Sequence, residues 1–385
     1  MSTSNVRTQI ERTQQEEHSS PLYLTSSFVF ESAEHMRALF AEEIEGNIYS
    51  RFTNPNTTEF VEKLRILEGS EAGIACASGM AAGFASIMGL LKSGDHIVAS
   101  RAVFGSTHTL LTQYLPRWGI TYTYVDIADN EQWAQAVGPS TKMFLVETPS
   151  NPGLAIADLE FLGALAQERN IILNVDNTFA TPLLQKPIEY GAHLVWHSAT
   201  KWIDGQGRVL GGAVLGRADL IREIYLFARN TGPSLSAFNA WILSKSMETL
   251  QVRLEKHCSN ALAVAKALVD HANLERLDYP HLPSHPQYAL ARKQMKLGGG
   301  IITLNLRNGA DGARRFVDGL SLASITANLG DTRTIATHPA TSTHARLTEE
   351  ARLQVGITQG LVRMSIGLES VEEIIADIQK ALDNA

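Results

Sequence analysis

One pattern constrains this chain of 385 residues more than any other: short apolar runs alternate with segments of helical spacing. The runs are His96–Ala99, Thr121–Val125, Met143–Val146, Ile171–Val175, Leu194–Trp196 and Val209–Leu215, and each reads as a strand. Helical spacing marks Glu59–Leu67, closed by Gly69 as a C-cap, and also Met80–Leu91, Thr107–Leu115 and Leu159–Arg169. Strands that alternate with helices are joined by crossovers, so the expected fold is α/β, a mainly parallel sheet covered on both faces. From Ala237 to about His271 a nearly unbroken helical pattern reads as a boundary element. Beyond it, Gly300–Leu306 and Leu361–Ile366 read as strands, and Gly312–Leu320 and Val371–Leu382 as helices, forming a smaller C-terminal α+β unit. The chain exceeds the usual size of one core, so a division is expected. It runs as an arm at 1–48, an α/β domain at 49–240 and an α+β domain at 241–385.

Composition excludes several classes of function. A formal net charge of −7, with no run of Lys or Arg, gives no footprint for nucleic acid or an anionic membrane. No apolar run approaches the ~20 residues of a membrane helix, and the polar opening MSTSNVRTQIERTQQEEHSS has no signal-peptide core. The two cysteines, Cys76 and Cys258, stand outside any C-x-x-C spacing, so neither a disulfide scaffold nor a zinc ribbon is expected. A cytoplasmic location fits a reducing compartment. His338 and His344 have no carboxylate cluster around them, and no metal is expected.

The chemistry concentrates where strands end. Asp176 closes the run Ile171–Val175, and ligands of open α/β sheets bind at such carboxyl ends. A carboxylate there is costly unless it meets a cation or a strong donor, and a protonated pyridine nitrogen is one such partner. Lys201 follows the run Leu194–Trp196 within His197-Ser198-Ala199-Thr200-Lys201. A partly desolvated lysine is a nucleophilic amine suited to a Schiff base, and the hydroxyls of Ser198 and Thr200 can donate to a phosphate. Upstream, Cys76-Ala77-Ser78-Gly79-Met80 leads an apolar approach into a helix, whose first amides bind phosphate without a basic side chain. Lysine, aspartate and phosphate cradle together are what pyridoxal 5′-phosphate (PLP) requires. The glycine-rich Gly205–Gly211 is rejected as a dinucleotide fingerprint, because it precedes the strand-like Val209–Leu215 instead of following a strand into a helix.

The stretches Tyr49–Asn56 (YSRFTNPN), Cys76–Ala82 (CASGMAA), Glu147–Pro152 (ETPSNP), Val175–Pro182 (VDNTFATP) and His197–Arg208 (HSATKWIDGQGR) resemble the Cys/Met-metabolism PLP-dependent enzyme family, over essentially the whole chain. The resemblance implies PLP fold type I, an aspartate-aminotransferase-like α/β domain with a C-terminal α+β domain, in a homotetramer of two dimers. Lys201 would carry the cofactor and move protons, with Asp176 on the pyridinium nitrogen. Ser78, Gly79, Met80, Ser198 and Thr200 would hold the phosphate, and Thr178 would join the cofactor contacts. Tyr49 and Arg51 would reach the phosphate of the neighbouring subunit, Tyr49 with a catalytic part, which gives the arm its purpose. Asn151 would approach the ring hydroxyl, and Arg363, helped by Asn328, would bind the substrate α-carboxylate as a two-pronged pair. Many members have a tyrosine where this chain has Phe104, which can stack on the cofactor but transfers no proton.

Within the family, Val103–Ser106, Asp204–Arg208 and Asn328–Asp331 resemble most the members that join a homoserine ester and sulfide. The activity so implied is a γ-replacement giving L-homocysteine and succinate from O-succinyl-L-homoserine, a step of methionine biosynthesis. Arg208, or Arg333 in second place, would meet the distal carboxylate of the ester; the alternative is that Arg208 only pins its loop. Neighbouring activities are cystathionine synthesis, use of the acetyl ester, and γ-elimination of methionine. A cofactor-free binding protein on the same fold is disfavoured by the intact Lys201 and Asp176.

Overall fold

Seven strands form the larger sheet: β1 (Ala72–Cys76), β2 (His96–Ser100), β3 (Thr121–Val125), β4 (Thr141–Glu147), β5 (Ile172–Asp176), β6 (Leu194–Ser198) and β7 (Gly212–Gly216). The computed structural model describes residues 3–345 and 348–385. The order across the sheet is β1-β7-β6-β5-β4-β2-β3. Strands β2 to β6 pair in parallel wherever they meet, and β7 alone runs antiparallel to its neighbours β1 and β6. Parallel strands buried on both faces need apolar stretches; Ile97–Ala99 and Met143–Val146 supply them, and β5 is apolar at Leu173 and Val175 with the buried Asn174 between them bonded to Ser86.

Local signals explain the helices that matter for the site. The helix Pro55–Glu68 starts at Asn54, whose side chain forms a capping box with Thr57, and stops at Gly69, which is left-handed at φ 75°. The helix Gly79–Met88 is capped by the Ser78 side chain, which accepts from the Ala81 amide. Its small residues let it lie close to the sheet: a Cβ at Gly83 would come within 3.2 Å of the Trp196 ring. Leu159–Arg169 is helical over the span its periodicity indicates.

Three elements depart from the sequence expectation. The strand expected at Val209–Leu215 begins only at Gly212, because residues 205–211 form a loop and the strand enters tight against the neighbouring turn. A side chain at Gly212 would lie 2.1 Å from the Ser78 carbonyl oxygen. The long helix from Ala237 is two helices, Ala237–Met247 and Leu250–Leu268, with the Arg253 guanidinium tied to the Ser246 carbonyl across the break. Residues 105–118 are helical but irregular, widening over Leu110–Tyr114 and tightening at Leu115–Trp118, where Pro116 precedes the left-handed Gly119.

The smaller sheet holds β8 (Leu274–Asp278), β9 (Ile301–Leu306), β10 (Ser324–Ile325), β11 (Ile335–Thr337) and β12 (Leu361–Ser365), ordered β10-β11-β12-β9-β8. Val362 and Met364 of β12 pack in a core with Phe316, Ile374 and Ile378 from the helices Gly309–Gly319 and Val371–Asp383. Alternation along the strand therefore sends Arg363 to the opposite face. The first residues lie on their own chain: Ile10 donates its amide to Glu59, and Trp241 donates to the Ser20 carbonyl. Leu24, Val29, Phe40 and Ile44 then stand exposed. Among the described residues no helix is long and apolar enough to cross a membrane.

Candidate active site

The register of the larger sheet brings the chemistry together. Glu147 and Asp176 face each other as in-register partners at the carboxyl ends of β4 and β5, and Asp176 pairs with Trp196 of β6. Residues in register on parallel strands project to the same face, here the one covered by the helix Gly79–Met88, as Asn174 confirms by bonding Ser86. Asp176 is buried, and its Oδ1 accepts the Thr178 amide at 3.0 Å. Burial pushes its carboxyl up to about 6, against the pull of the Thr178 hydrogen bonds and the His197 ring. The Thr178 hydroxyl accepts the Ser198 amide at 2.9 Å, which locks the Asp176 turn to the strand end that leads to Lys201.

Lys201 is half-buried, and its Nζ donates to Asn328 Oδ1 at 2.7 Å. Burial, and secondarily the charge of Arg363, brings its amine down to about 8. The backbone oxygen of Asn328 accepts from the Arg363 guanidinium at 2.9 Å, so one residue joins the lysine to the arginine. Arg363 also donates to Asn151 Oδ1 at 2.9 Å and more weakly to the Ala327 carbonyl and the Thr337 hydroxyl. It is only 2 % exposed, and its Nε has no partner among the described residues. Burial lowers its pKa to about 10, with Glu147 opposing. A buried guanidinium bonded to neutral oxygens, with one N–H orphaned, is prepared for an incoming carboxylate.

The cradle meets the strand end that leads to Lys201 at Ser198. Among the described residues the amides of Gly79 and Met80 have no acceptor, and a Cβ at Gly79 would fall 2.5 Å from that of Ser198. Free amides at the start of a ten-residue helix, pressed against a serine hydroxyl, fit a phosphate. The Thr200 hydroxyl accepts the Gly211 amide, and the Met80 sulfur receives the Thr107 hydroxyl. With a buried acid, a depressed lysine and this cradle, the residues present fit PLP.

Other expected residues lie elsewhere. Arg208 donates to Asp204 and to the Ser246 hydroxyl of the helix Ala237–Met247, and Arg333 to Asp331 and more weakly to the Gln206 carbonyl, so both guanidiniums are engaged by the protein itself. Tyr49 is 41 % exposed, and Arg51 stacks over Phe52 and donates to the Arg229 carbonyl. Neither Tyr49 nor Arg51 contacts Lys201, Asp176 or Ser198 of its own chain among the described residues. Phe104 precedes the helical stretch at Gly105, and its amide donates to Glu147 Oε2 at 2.7 Å. His338 bridges the Thr341 hydroxyl and the Gln359 carbonyl.

Sequence reasoning missed Glu147 as a site residue, although it ends the run Met143–Val146 just as Asp176 ends its own. It also missed the buried pair of Glu68 with His197, 3.2 Å apart beneath the Lys201 turn, for which spacing offers no signal.

A mainly parallel α/β sheet with these groups at its strand ends defines a PLP enzyme of fold type I. The match to the sequence pattern of "Cys/Met metabolism PLP-dependent enzyme" runs over residues 2–383, and the chain belongs to that family. It is 46% identical over 380 residues to an O-succinylhomoserine sulfhydrylase of Pseudomonas aeruginosa, covering 99% of this chain and 94% of that one. It is 43% identical over 367 residues to an L-methionine gamma-lyase of Porphyromonas gingivalis, covering 94% and 92%. A Campylobacter jejuni structure described as an O-acetylhomoserine (thiol)-lyase, which carries a pyridoxyl-lysine phosphate adduct, superposes with a TM-score of 0.96 at 34% identity and 99% coverage of both chains.

Proposed function

We propose that the chain catalyses γ-replacement on O-succinyl-L-homoserine, with sulfide as acceptor and L-homocysteine and succinate as products. The observation that carries the reading is Arg363, whose buried guanidinium has an orphaned Nε and shares Asn328 with Lys201. That arrangement suits an α-amino acid, with its carboxylate on Arg363 and its amine beside Lys201. When bound, PLP withdraws electrons from the substrate Cα and so acidifies its proton. Asp176, at the ring nitrogen, would keep the ring protonated, and Gly79, Met80, Ser198 and Thr200 would anchor the phosphate. Lys201, with its amine near neutrality, is suited to take and return protons at Cα and Cβ. Phe104 offers no proton to the leaving group, which suits an ester whose departing group is already a stable carboxylate. Tyr49 and Arg51, at the surface of their own chain, would complete the site of a second subunit.

The succinyl ester and sulfide are favoured by the likeness to the Pseudomonas sulfhydrylase, whereas the likeness to gamma-lyases favours release of the product as an α-keto acid. Purified enzyme offered the succinyl ester, the acetyl ester and methionine, each with and without sulfide, separates the readings. Homocysteine from the succinyl ester with at least about tenfold greater kcat/KM than from the acetyl ester is expected, since a distal carboxylate is discriminated on that scale. Equal use of both esters, or α-ketobutyrate from methionine as the main reaction, overturns it.

A further inference from the structure

Glu147 has no part in the reading above, yet it stands between two expected site residues, Asp176 and Phe104. It is 3 % exposed, and it lies in register with Asp176, so two carboxyl groups share one face of the sheet on strands that are only ~4.8 Å apart. Its Oε2 receives the backbone amide of Phe104 at 2.7 Å, the residue placed to stack on the cofactor ring. We propose that Glu147 is a positioning residue, which holds the Phe104 backbone, and through it the aromatic ring, against the cofactor that Asp176 grips from the adjacent strand. The proposal rests on the cofactor-site reading above.

The geometry carries this in three ways. Phe104 caps no helix with its side chain, and the bent Arg101–Phe104 segment leaves β2 with few backbone-amide ties: the Arg101 amide to Val125, the Ala102 amide to Ser100 and the Phe104 amide to Glu147. The Phe104 carbonyl is held from the far side, by the His108 amide of the helical stretch, and the bond to Glu147 fixes Phe104 on the side of the sheet. Second, among the described residues no cation forms an ion pair with Glu147, which stands as a hydrogen-bonding group and not as half of a salt bridge. Third, a ring cation can compensate one of two adjacent carboxylates, and Asp176 is the one bonded to the Thr178 turn. Burial, then the Asp176 charge, raises Glu147 well above the ordinary carboxylate range, with the amides of Phe104 and Asn151 and the charge of Arg363 pulling the other way. A neutral carboxyl both accepts from Phe104 and avoids repelling Asp176.

A neutral amide should therefore replace it. In Glu147→Gln the side-chain oxygen still accepts from Phe104, whereas Glu147→Leu leaves a buried amide unpaired. The visible circular dichroism of the as-purified holoenzyme reads how the ring is held, and cofactor removal followed by PLP titration reads its grip. E147Q should keep the wild-type signal and a PLP Kd within about threefold. E147L should lose most of the visible signal and bind PLP roughly tenfold or more weakly, the scale of one buried hydrogen bond lost. If E147L does not fold, E147D, one methylene too short to reach Phe104, carries the same expectation. A wild-type signal and affinity in the Leu or Asp variant overturns the proposal, and so does E147Q failing as badly as E147L. A wild-type protein that takes up no PLP would instead overturn the cofactor-site reading itself, a distinguishable result.

Discussion

Replacing Arg363 by leucine should separate a binding cation from a structural one. The guanidinium sits 2 % exposed, donates to the neutral oxygens of Asn151, Asn328, Ala327 and Thr337, and leaves Nε without a partner among the described residues. Holding a cation there costs several kcal/mol of lost hydration, which these neutral contacts only partly offset. An α-carboxylate supplies what is missing. A hydrogen bond to a charged group contributes about 1.5–3 kcal/mol, and a two-pronged pair in a buried setting about 3–5 kcal/mol. At about 1.4 kcal/mol per factor of ten, kcat/KM for the amino-acid substrate should fall roughly a hundred- to three-thousandfold, mainly through KM. Leucine meanwhile removes an uncompensated buried charge, so the thermal midpoint of the ligand-free protein should stay within a few degrees of wild type. R363K, which keeps the charge but loses the planar fork, should fall between the two in kcat/KM. Steady-state kinetics and thermal melts on the same preparations make the test. A loss of less than about tenfold, or a collapse in stability that parallels the loss of activity, would refute the reasoning.

Two further outcomes follow from the same geometry. Burial depresses the Lys201 ammonium to about 8, so its free amine gains population as pH rises through that value. The rate at which cofactor-depleted protein recaptures PLP should climb between about pH 7 and 8.5 and level off above about 9, and a rate that is flat over this range speaks against a desolvated lysine. Gly79→Ala places a methyl where Ser198 already stands, 2.5 Å away, and must drive the helix start off the cradle. PLP affinity should drop by roughly tenfold or more, with melting little changed once cofactor is removed; unaltered affinity would mean that the phosphate lies elsewhere.

The parts legible in the sequence share a physical cause. Strands β2, β4 and β5 are buried on both faces, so their central side chains are apolar save for Asn174, and a polar residue ending such a run stands out. Asp176 and Lys201 were visible for that reason, and so was the cradle, since Gly79 permits an approach that any Cβ would block. The reversed direction of β7 was not legible, because apolar runs carry no sign of strand direction. Nor was the break at Glu248–Thr249, which depends on Arg253 reaching back to backbone oxygens at Trp202, Ile203 and Ser246. The link through Asn328 joins Lys201 to Arg363 across more than a hundred residues of chain and uses one side-chain and one backbone oxygen. The family resemblance implied a place for Asn328 beside Arg363, but a backbone oxygen carries no residue type, so the bond itself had no signal.

Glu147 is the instructive case. The signal that exposed Asp176, an acid at the end of an apolar run, was present there as well, and the register sets the two side by side. What separates them is what each one bonds. The Asp176 carboxylate answers the turn that leads by way of Thr178 to Ser198, while Glu147 answers the amide of Phe104, 43 residues earlier in the chain. A sequence offers two equivalent acids, and the fold makes them unequal by giving one a cradle to face and the other a backbone to hold. Two anions so close in a dry site repel each other, so the division of labour also follows from electrostatics: one acid can stay charged against a ring cation, and its neighbour is most useful neutral.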